Sequence, residues 1–371
     1  MSEKKKILLV SNGFYPVISP RSYRATELAK EFIRQGHYVK VITKFRDFNY
    51  SEFLKEYKVE LDLWGKSRFP QIPDSKRNVF SWITGSLSRA LSLLFEYPGI
   101  EDMFKVRQML KSESNFDIMI SFAVPYPVHW GVAWARTTRQ RIAEVWVADC
   151  GDPYMGDIVD TFRKPFYFKY LEKAFCRKAD FISIPIEGAR DGYYREFHNK
   201  IRIIPQGFDF EIDNKTDLFL CNRIPTFAYA GGFIPGVRDP DQLMRFLMSV
   251  AKPFRFNIYT NSPESLDKYK KQLDDRLQVS AYIPREELLE VLSQMDFLIN
   301  FDNNSALNSP SKLIDYSIAG RPVLNIKRDL NQADVRAFLD GNYKNKMILP
   351  DPGEYHIGRV AKKFLELSDS N

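Results

Sequence analysis

What most limits the folds open to this chain is a rhythm. Short apolar runs of strand character alternate with amphipathic helical stretches, in two series separated by a polar gap. KILLVSN (6–12) reads as a strand, Tyr23 to Gln35 as a helix stopped by Gly36, and YVKVIT (38–43) as the next strand. FDIMISFA (116–123), EVWVAD (144–149), DFISIP (180–185) and IRIIPQ (201–206) continue as strands, with helices at 127–136 and 166–179 between them. After the polar, aperiodic stretch 207–225, strands TFAYAGG (226–232), RFNIYT (255–260), DFLINFD (296–302) and RPVLNI (321–326) alternate with helices at 239–251, 285–295 and 310–319, LQVSAYI (277–283) leading into the second of these helices. A terminal amphipathic helix follows at 354–368. Such alternation predicts an α/β protein of two doubly wound, Rossmann-like domains facing each other across a cleft, with ligands at the carboxyl ends of the strands. The expected boundaries are 1–206 for the first domain, 207–225 for a linker, 226–353 for the second domain and 354–371 for a terminal helix packing back on the first.

A length of 371 residues and 44% apolar content suffice for two cores. No apolar run approaches the roughly 20 residues of a membrane-spanning helix. MSEKKKILLVSN runs straight into a strand and does not read as a signal peptide. Cys150, Cys176 and Cys221 lack metal-ligand spacing and predict no disulfide framework, so a cytoplasmic setting is expected. The net charge of +7 and pI near 9.0 are concentrated in the first part of the chain. Nucleic acid is not the expected partner, because no helix-turn-helix, zinc or RNP signature accompanies the charge. An anionic membrane surface is a second reading, making the protein peripheral at the inner face of a membrane, and solubility charge a third. Lys76–Lys111 fits this question: Phe80, Trp82, Ile83, Leu87, Leu91, Leu94 and Phe95 share a broad face near Arg77 and Arg89, suited to a membrane interface or to ordinary packing on a sheet.

Several chemistries lack their apparatus. The loop after the first strand, SNGFYPVISPRSYR, is no G-x-G-x-x-G, and there is no Walker A loop, H-E-x-x-H or G-x-S-x-G. No metal site is expected. The stretch NSPSKLIDYSIAGRPVL (308–324) is more telling. Ser309 and Pro310 suit a helix start, yet Lys312 stands in the first turn, where the helix dipole disfavours cations. A bound anion resolves the conflict, since free N–H groups, dipole and ammonium then converge on it. Asp315, three residues on and on the same face, is placed to accept ribose hydroxyls. Lysine for diphosphate and acid for ribose point to a nucleotide.

SPSKLIDYSIAGRPVL resembles the nucleotide-sugar segment of GT-B glycosyltransferases, in particular the large retaining group, often numbered family four, of bacterial lipopolysaccharide, capsule and cell-wall transferases. KILLVSNGFYPVISPRSYRATELAKEFIRQGHYVKVIT, FAVPYPVHWGVAWA, VADCGDPY, IRIIPQGFDF and FAYAGGFIPGVRDPDQL resemble further segments of that family in the same order. The resemblance implies a cytoplasmic transferase moving a sugar from a nucleoside-diphosphate donor to a glycan or lipid-linked acceptor, with no cofactor and no metal. Arg238 matches the family's basic residue for the donor diphosphate, joined by Lys312, Ser309, Ser311 and the backbone of Gly231 and Gly232. The family's two glutamates eight residues apart fall on Leu307 and Asp315, and Asn303, Asn304 or Asn308 would replace the first toward the donor sugar. His129 matches a histidine that meets the donor sugar or positions the acceptor. Arg21 and Arg24 are placed to meet a phosphate of acceptor or donor, and Asp149 and Asp152 the acceptor hydroxyls. Two rivals keep this fold: a sugar-nucleotide epimerase, and a noncatalytic partner of another transferase.

Overall fold

The computed structural model describes residues 3–69, 79–138, 141–156, 163–210, 222–234, 236–302 and 312–369, with backbone alone over 79–84. The chain divides into two units, Met1–Asp209 with Tyr355–Asn371, and Phe210–Glu354.

The first unit runs β1 (Lys6–Ser11), α1 (Pro20–Arg34), β2 (Tyr38–Lys44), α2 (Ser51–Tyr57), β3 (Glu60–Trp64), α3 (Val79–Phe95), α4 (Glu101–Met109), β4 (Phe116–Phe122), α5 (Pro127–Ala135), β5 (Ala143–Asp149), α6 (Phe168–Lys178), β6 (Phe181–Ile184) and β7 (Ile201–Ile203). Its seven strands form one sheet in the order β3-β2-β1-β4-β5-β6-β7, every pair parallel. The central strands are apolar on both faces because helices cover both, so Ile7, Leu8, Leu9 and Val10 are all buried. The second unit runs β8 (Thr226–Ala230), α7 (Asp241–Ser249), β9 (Arg255–Tyr259), α8 (Asp267–Leu273), β10 (Leu277–Ser280), α9 (Arg285–Ser293), β11 (Phe297–Phe301), α10 (Lys312–Ala319), β12 (Val323–Ile326) and α11 (Gln332–Leu339). Its sheet is β10-β9-β8-β11-β12, again all parallel. The last helix, α12 (Ile357–Ser368), belongs to the first unit. Its Ile357, Val360, Ala361 and Phe364 join the core that also holds Ala25, Leu28 and Phe32 of α1.

Both sheets are doubly wound, as the alternation predicts. Strand order reverses between β1 and β4 in one sheet and between β8 and β11 in the other. The crevice at the carboxyl ends of such a strand pair is where ligands of these sheets bind. Helix α1 begins at Pro20, three residues earlier than the apolar spacing suggests, because Ser19 caps it and accepts a bond from the Ser22 amide. The loop before it passes so close that a Cβ on Gly13 would lie 2.3 Å from the Ser22 hydroxyl. Helices α2, α8 and α11 and strand β3 have no counterpart in the sequence reading. No helix among the described residues is long and apolar enough to cross a membrane.

Candidate functional site

In the second unit the switch point lies between the loop after β8 and the start of α10. Tyr229 is fully buried in β8, and its hydroxyl donates to the Gly232 carbonyl at 2.9 Å. Gly231 sits at φ +148°, a region that favours glycine, and a Cβ there would come within 2.9 Å of that hydroxyl. A Cβ on Gly232 would lie 3.1 Å from Asn261 Oδ1. The glycine pair therefore lets the chain fold tightly around the tip of Tyr229. Beyond it, Ile234 and Arg238 exchange backbone bonds of 3.2 and 2.9 Å, turning the chain back on itself.

Helix α10 is tied to the same strand end by Tyr316, whose hydroxyl accepts from the Ala230 amide at 3.0 Å. Lys312 is one turn earlier on that face. Its Nζ stands 4.6 Å from the centre of the Tyr229 ring. That nitrogen is buried with no hydrogen-bond partner, and so is Arg238 Nε. Burial first, and then the nearby Arg238 charge, push the Lys312 pKa down to about 7. Asp239, the acid next to Arg238 in sequence, does not neutralise it: its carboxylate accepts from the amides of Gly236 and Asp241 at 3.3 and 3.0 Å. Two cations thus stand beside an aromatic ring and a glycine turn, with no counter-ion among the described residues.

Asp315 is not open as drawn. Arg285, the first residue of α9, holds it with Nε at 2.8 Å and a second guanidinium nitrogen at 2.7 Å. Burial raises its pKa, against the opposing pull of Arg285. Ser309, Ser311, Asn303, Asn304, Leu307 and Asn308 lie outside the described residues.

In the first unit the switch point is organised by Asp149 at the end of β5. Arg24 clasps it with two bonds of 2.7 Å, Ser183 donates to it at 2.7 Å, and Arg21 stands 3.2 Å away. Burial alone would raise this carboxyl, but Arg24, Arg21 and Ser183 outweigh it and hold it below the ordinary carboxylate range. Arg24 differs from the expectation that it meets a ligand phosphate. It is 2% exposed, and its remaining donors reach the carbonyls of Ile204 and Pro205. Its guanidinium also lies over the ring of Phe364 in α12, 5.4 Å from the centroid. It is a structural tie. Arg21 is the more accessible cation, and its guanidinium presses on Gly151, where a Cβ would meet it at 1.8 Å. Asp152 is exposed on the following loop, its carbonyl accepting from the Tyr126 hydroxyl.

His129 also departs from expectation. It is fully buried in α5. The Trp146 indole can only donate, and it donates to Ser121 Oγ at 2.8 Å. Ser121 Oγ also shares a hydrogen bond of 2.8 Å with His129 Nδ1. The other ring nitrogen, Nε2, is 3.5 Å from Cys150 Sγ. Burial, ahead of the opposing pull of Asp149, lowers the pKa to about 3, so the ring is neutral. In this arrangement His129 packs beneath the site and touches no open surface. The residues the sequence reading missed are Tyr229, Arg285, Ser121, Trp146 and Ser183, each an ordinary core or surface residue by pattern.

No protein-family model matches the sequence, and no curated protein does either. Solved structures do. A glycosyltransferase from Rickettsia africae superimposes with a TM-score of 0.61 at 11% identity, over 99% of this chain and 98% of that one. The lipopolysaccharide outer core galactosyltransferase WaaB, in its apo form, gives 0.60 at 12% identity, over 98% and 99%. HepE of Anabaena, in complex with UDP and glucose, gives 0.52 at 11% identity, over 98% and 97%. The fold of this chain is GT-B.

Proposed function

We propose that the protein is a glycosyltransferase, moving a sugar from a nucleoside-diphosphate donor onto a glycan or lipid-linked acceptor in cell-envelope polysaccharide synthesis, lipopolysaccharide or capsule among them. The observation that carries this reading is the pair of basic residues, Lys312 and Arg238, that have no counter-ion among the described residues at the switch point of the second sheet. Structures of this fold include an envelope galactosyltransferase and one holding UDP and glucose.

Glycosyl transfer leaves the electron pair of the broken anomeric C–O bond on the terminal phosphate, so the departing diphosphate goes from two negative charges to three. Fixed cations that face that charge lower the barrier, most effectively where water is excluded. Lys312 and Arg238 do this, with Ser309, Ser311 and the Gly232 backbone as further donors, and the reaction needs no divalent metal. Asp315 takes the ribose once Arg285 releases or shares it. Asn304 and Asn308 replace the missing glutamate toward the donor sugar. Arg21 and Asp152 border the acceptor, while Arg24, Asp149 and His129 hold the framework behind them. Retention of anomeric configuration and a cytoplasmic location belong to the same reading.

The test is a calorimetric screen of UDP-, GDP-, ADP-, CMP- and dTDP-sugars. One saturable donor, followed by sugar transfer to an envelope extract, supports the proposal, and binding of none of them ends it. A proton signature accompanies binding. An anion restores the Lys312 pKa toward its ordinary value, so the complex takes up a proton above pH 7. At pH 8 the observed binding heat is expected to differ between Tris and HEPES buffers in proportion to their ionisation heats. Lys312→Ala removes that difference.

A further inference from the structure

The first unit carries an apolar surface that neither sheet nor core uses. At the C-terminal end of α3, Leu87, Leu94 and Phe95 are exposed, and beside α6 so are Phe166, Tyr167 and Tyr170. Phe166 is 71% and Tyr170 60% exposed, far beyond what loose packing leaves on rings of that size. The two groups form one surface, because the Tyr167 hydroxyl donates to the Leu94 carbonyl and Lys164 pairs with Glu96 at 2.5 Å.

Charge around it is mainly basic, the acids Glu96 and Glu196 being taken up by Lys164 and by Lys173 with Arg177. From Gly85 to Phe95 there is one arginine, Arg89, and no acid. From Arg163 to Lys178 there are six basic residues and one acid, Glu172, which is fully buried. Arg163 is exposed, and the Lys169 ammonium lies 5.0 Å from the Tyr170 ring centre. We infer that this surface, formed by the end of α3 and the start of α6, docks on an anionic lipid membrane.

The arrangement favours lipid over protein. The centre of a protein interface is depleted of charge. Here cations sit within a turn of Phe166, Tyr167 and Tyr170, and a headgroup layer accepts both at once: rings enter at the acyl boundary while lysine and arginine meet lipid phosphates. The absence of acids in the exposed part of both segments fits a negatively charged surface and no neutral one.

The experiment is flotation of the purified chain with vesicles of equimolar phosphatidylglycerol and phosphatidylcholine, against phosphatidylcholine alone. Recovery with the anionic vesicles at low salt, with release at about 1 M salt where the Debye length falls to about 3 Å, is the expected result. Two double variants, Phe166→Ser/Tyr170→Ser and Arg163→Glu/Lys169→Glu, are each expected to lower partitioning by about tenfold or more at an unchanged melting temperature. Equal recovery with both vesicle types overturns the inference, as do folded variants that float like wild type. So does a concentration-dependent dimer that the variants abolish in a protein that never floats, which would give the surface to a second copy.

Discussion

Lys312→Ala protein binds a nucleoside diphosphate roughly 10- to 100-fold more weakly than wild type, the loss of a charge-assisted hydrogen bond of about 1.5–3 kcal/mol. Without ligand it is no less stable, and at neutral pH more so. The lysine lies above a ring with no anion among the described residues to meet it, and its pKa of about 7 is well below the ordinary lysine value. The unfolded chain therefore binds more protons at this position between about pH 7 and pH 10.4, and wild-type stability rises with pH across that window. The alanine variant lacks this rise. Equilibrium denaturation at pH 7 and pH 9, with calorimetry of the diphosphate, reads both effects. Unchanged diphosphate affinity would make the recess a structural accident and remove the main support for the transferase reading. Asp315→Asn separates the subsites, because it is expected to weaken binding of the nucleoside alone, which carries no phosphate.

Arg24→Met is expected to destabilise the protein by about 3 kcal/mol or more, because it leaves the buried Asp149 carboxylate with only Arg21 and Ser183. Replacing both members, as Arg24→Met/Asp149→Leu, should melt closer to wild type than the single change does, since the second substitution removes the stranded charge. The pH dependence has a definite sign. The Asp149 carboxyl is held below its ordinary value, so its stabilising contribution is complete above the unfolded value near 3.9 and is lost as pH falls through the folded one. The gap between wild type and Arg24→Met consequently narrows in acid. Urea titrations at pH 7 and pH 3.5 measure it, and a variant as stable as wild type at pH 7 would show that the clasp contributes nothing.

The centres of the strands and of most helices are legible in the sequence because both faces of each parallel sheet are covered, which leaves continuous apolar runs. Elements lacking that coverage are not legible. In β3, at the sheet edge, the half-buried Leu61 and Leu63 alternate with the acids Glu60 and Asp62 over five residues, and α2 buries only Phe53. Lys312 announced itself by standing at the wrong end of a helix dipole, and Arg238 by a motif. Tyr229 could not be distinguished from any other ring in TFAYA, since its role comes from what α10 sets above it. Arg21 and Arg24 look equivalent from their spacing. Asp149 tells them apart, and it lies 125 residues from Arg24 in the chain. The buried state of His129 depends likewise on Ser121 and Trp146, on two strands whose pairing the local pattern does not specify.

Helix α12 sets an order on synthesis. Residues Phe210–Glu354 form one uninterrupted stretch and can fold as soon as they leave the ribosome. The unit begun first must wait, because its core includes Val360, Phe364 and Leu365. Until those residues emerge, α1 and the cation–π face of Arg24 stay uncovered. The amino-terminal part of the chain is therefore the last to close, and a nascent chain arrested before Val360 presents that open apolar seam to chaperones and proteases for as long as the arrest lasts.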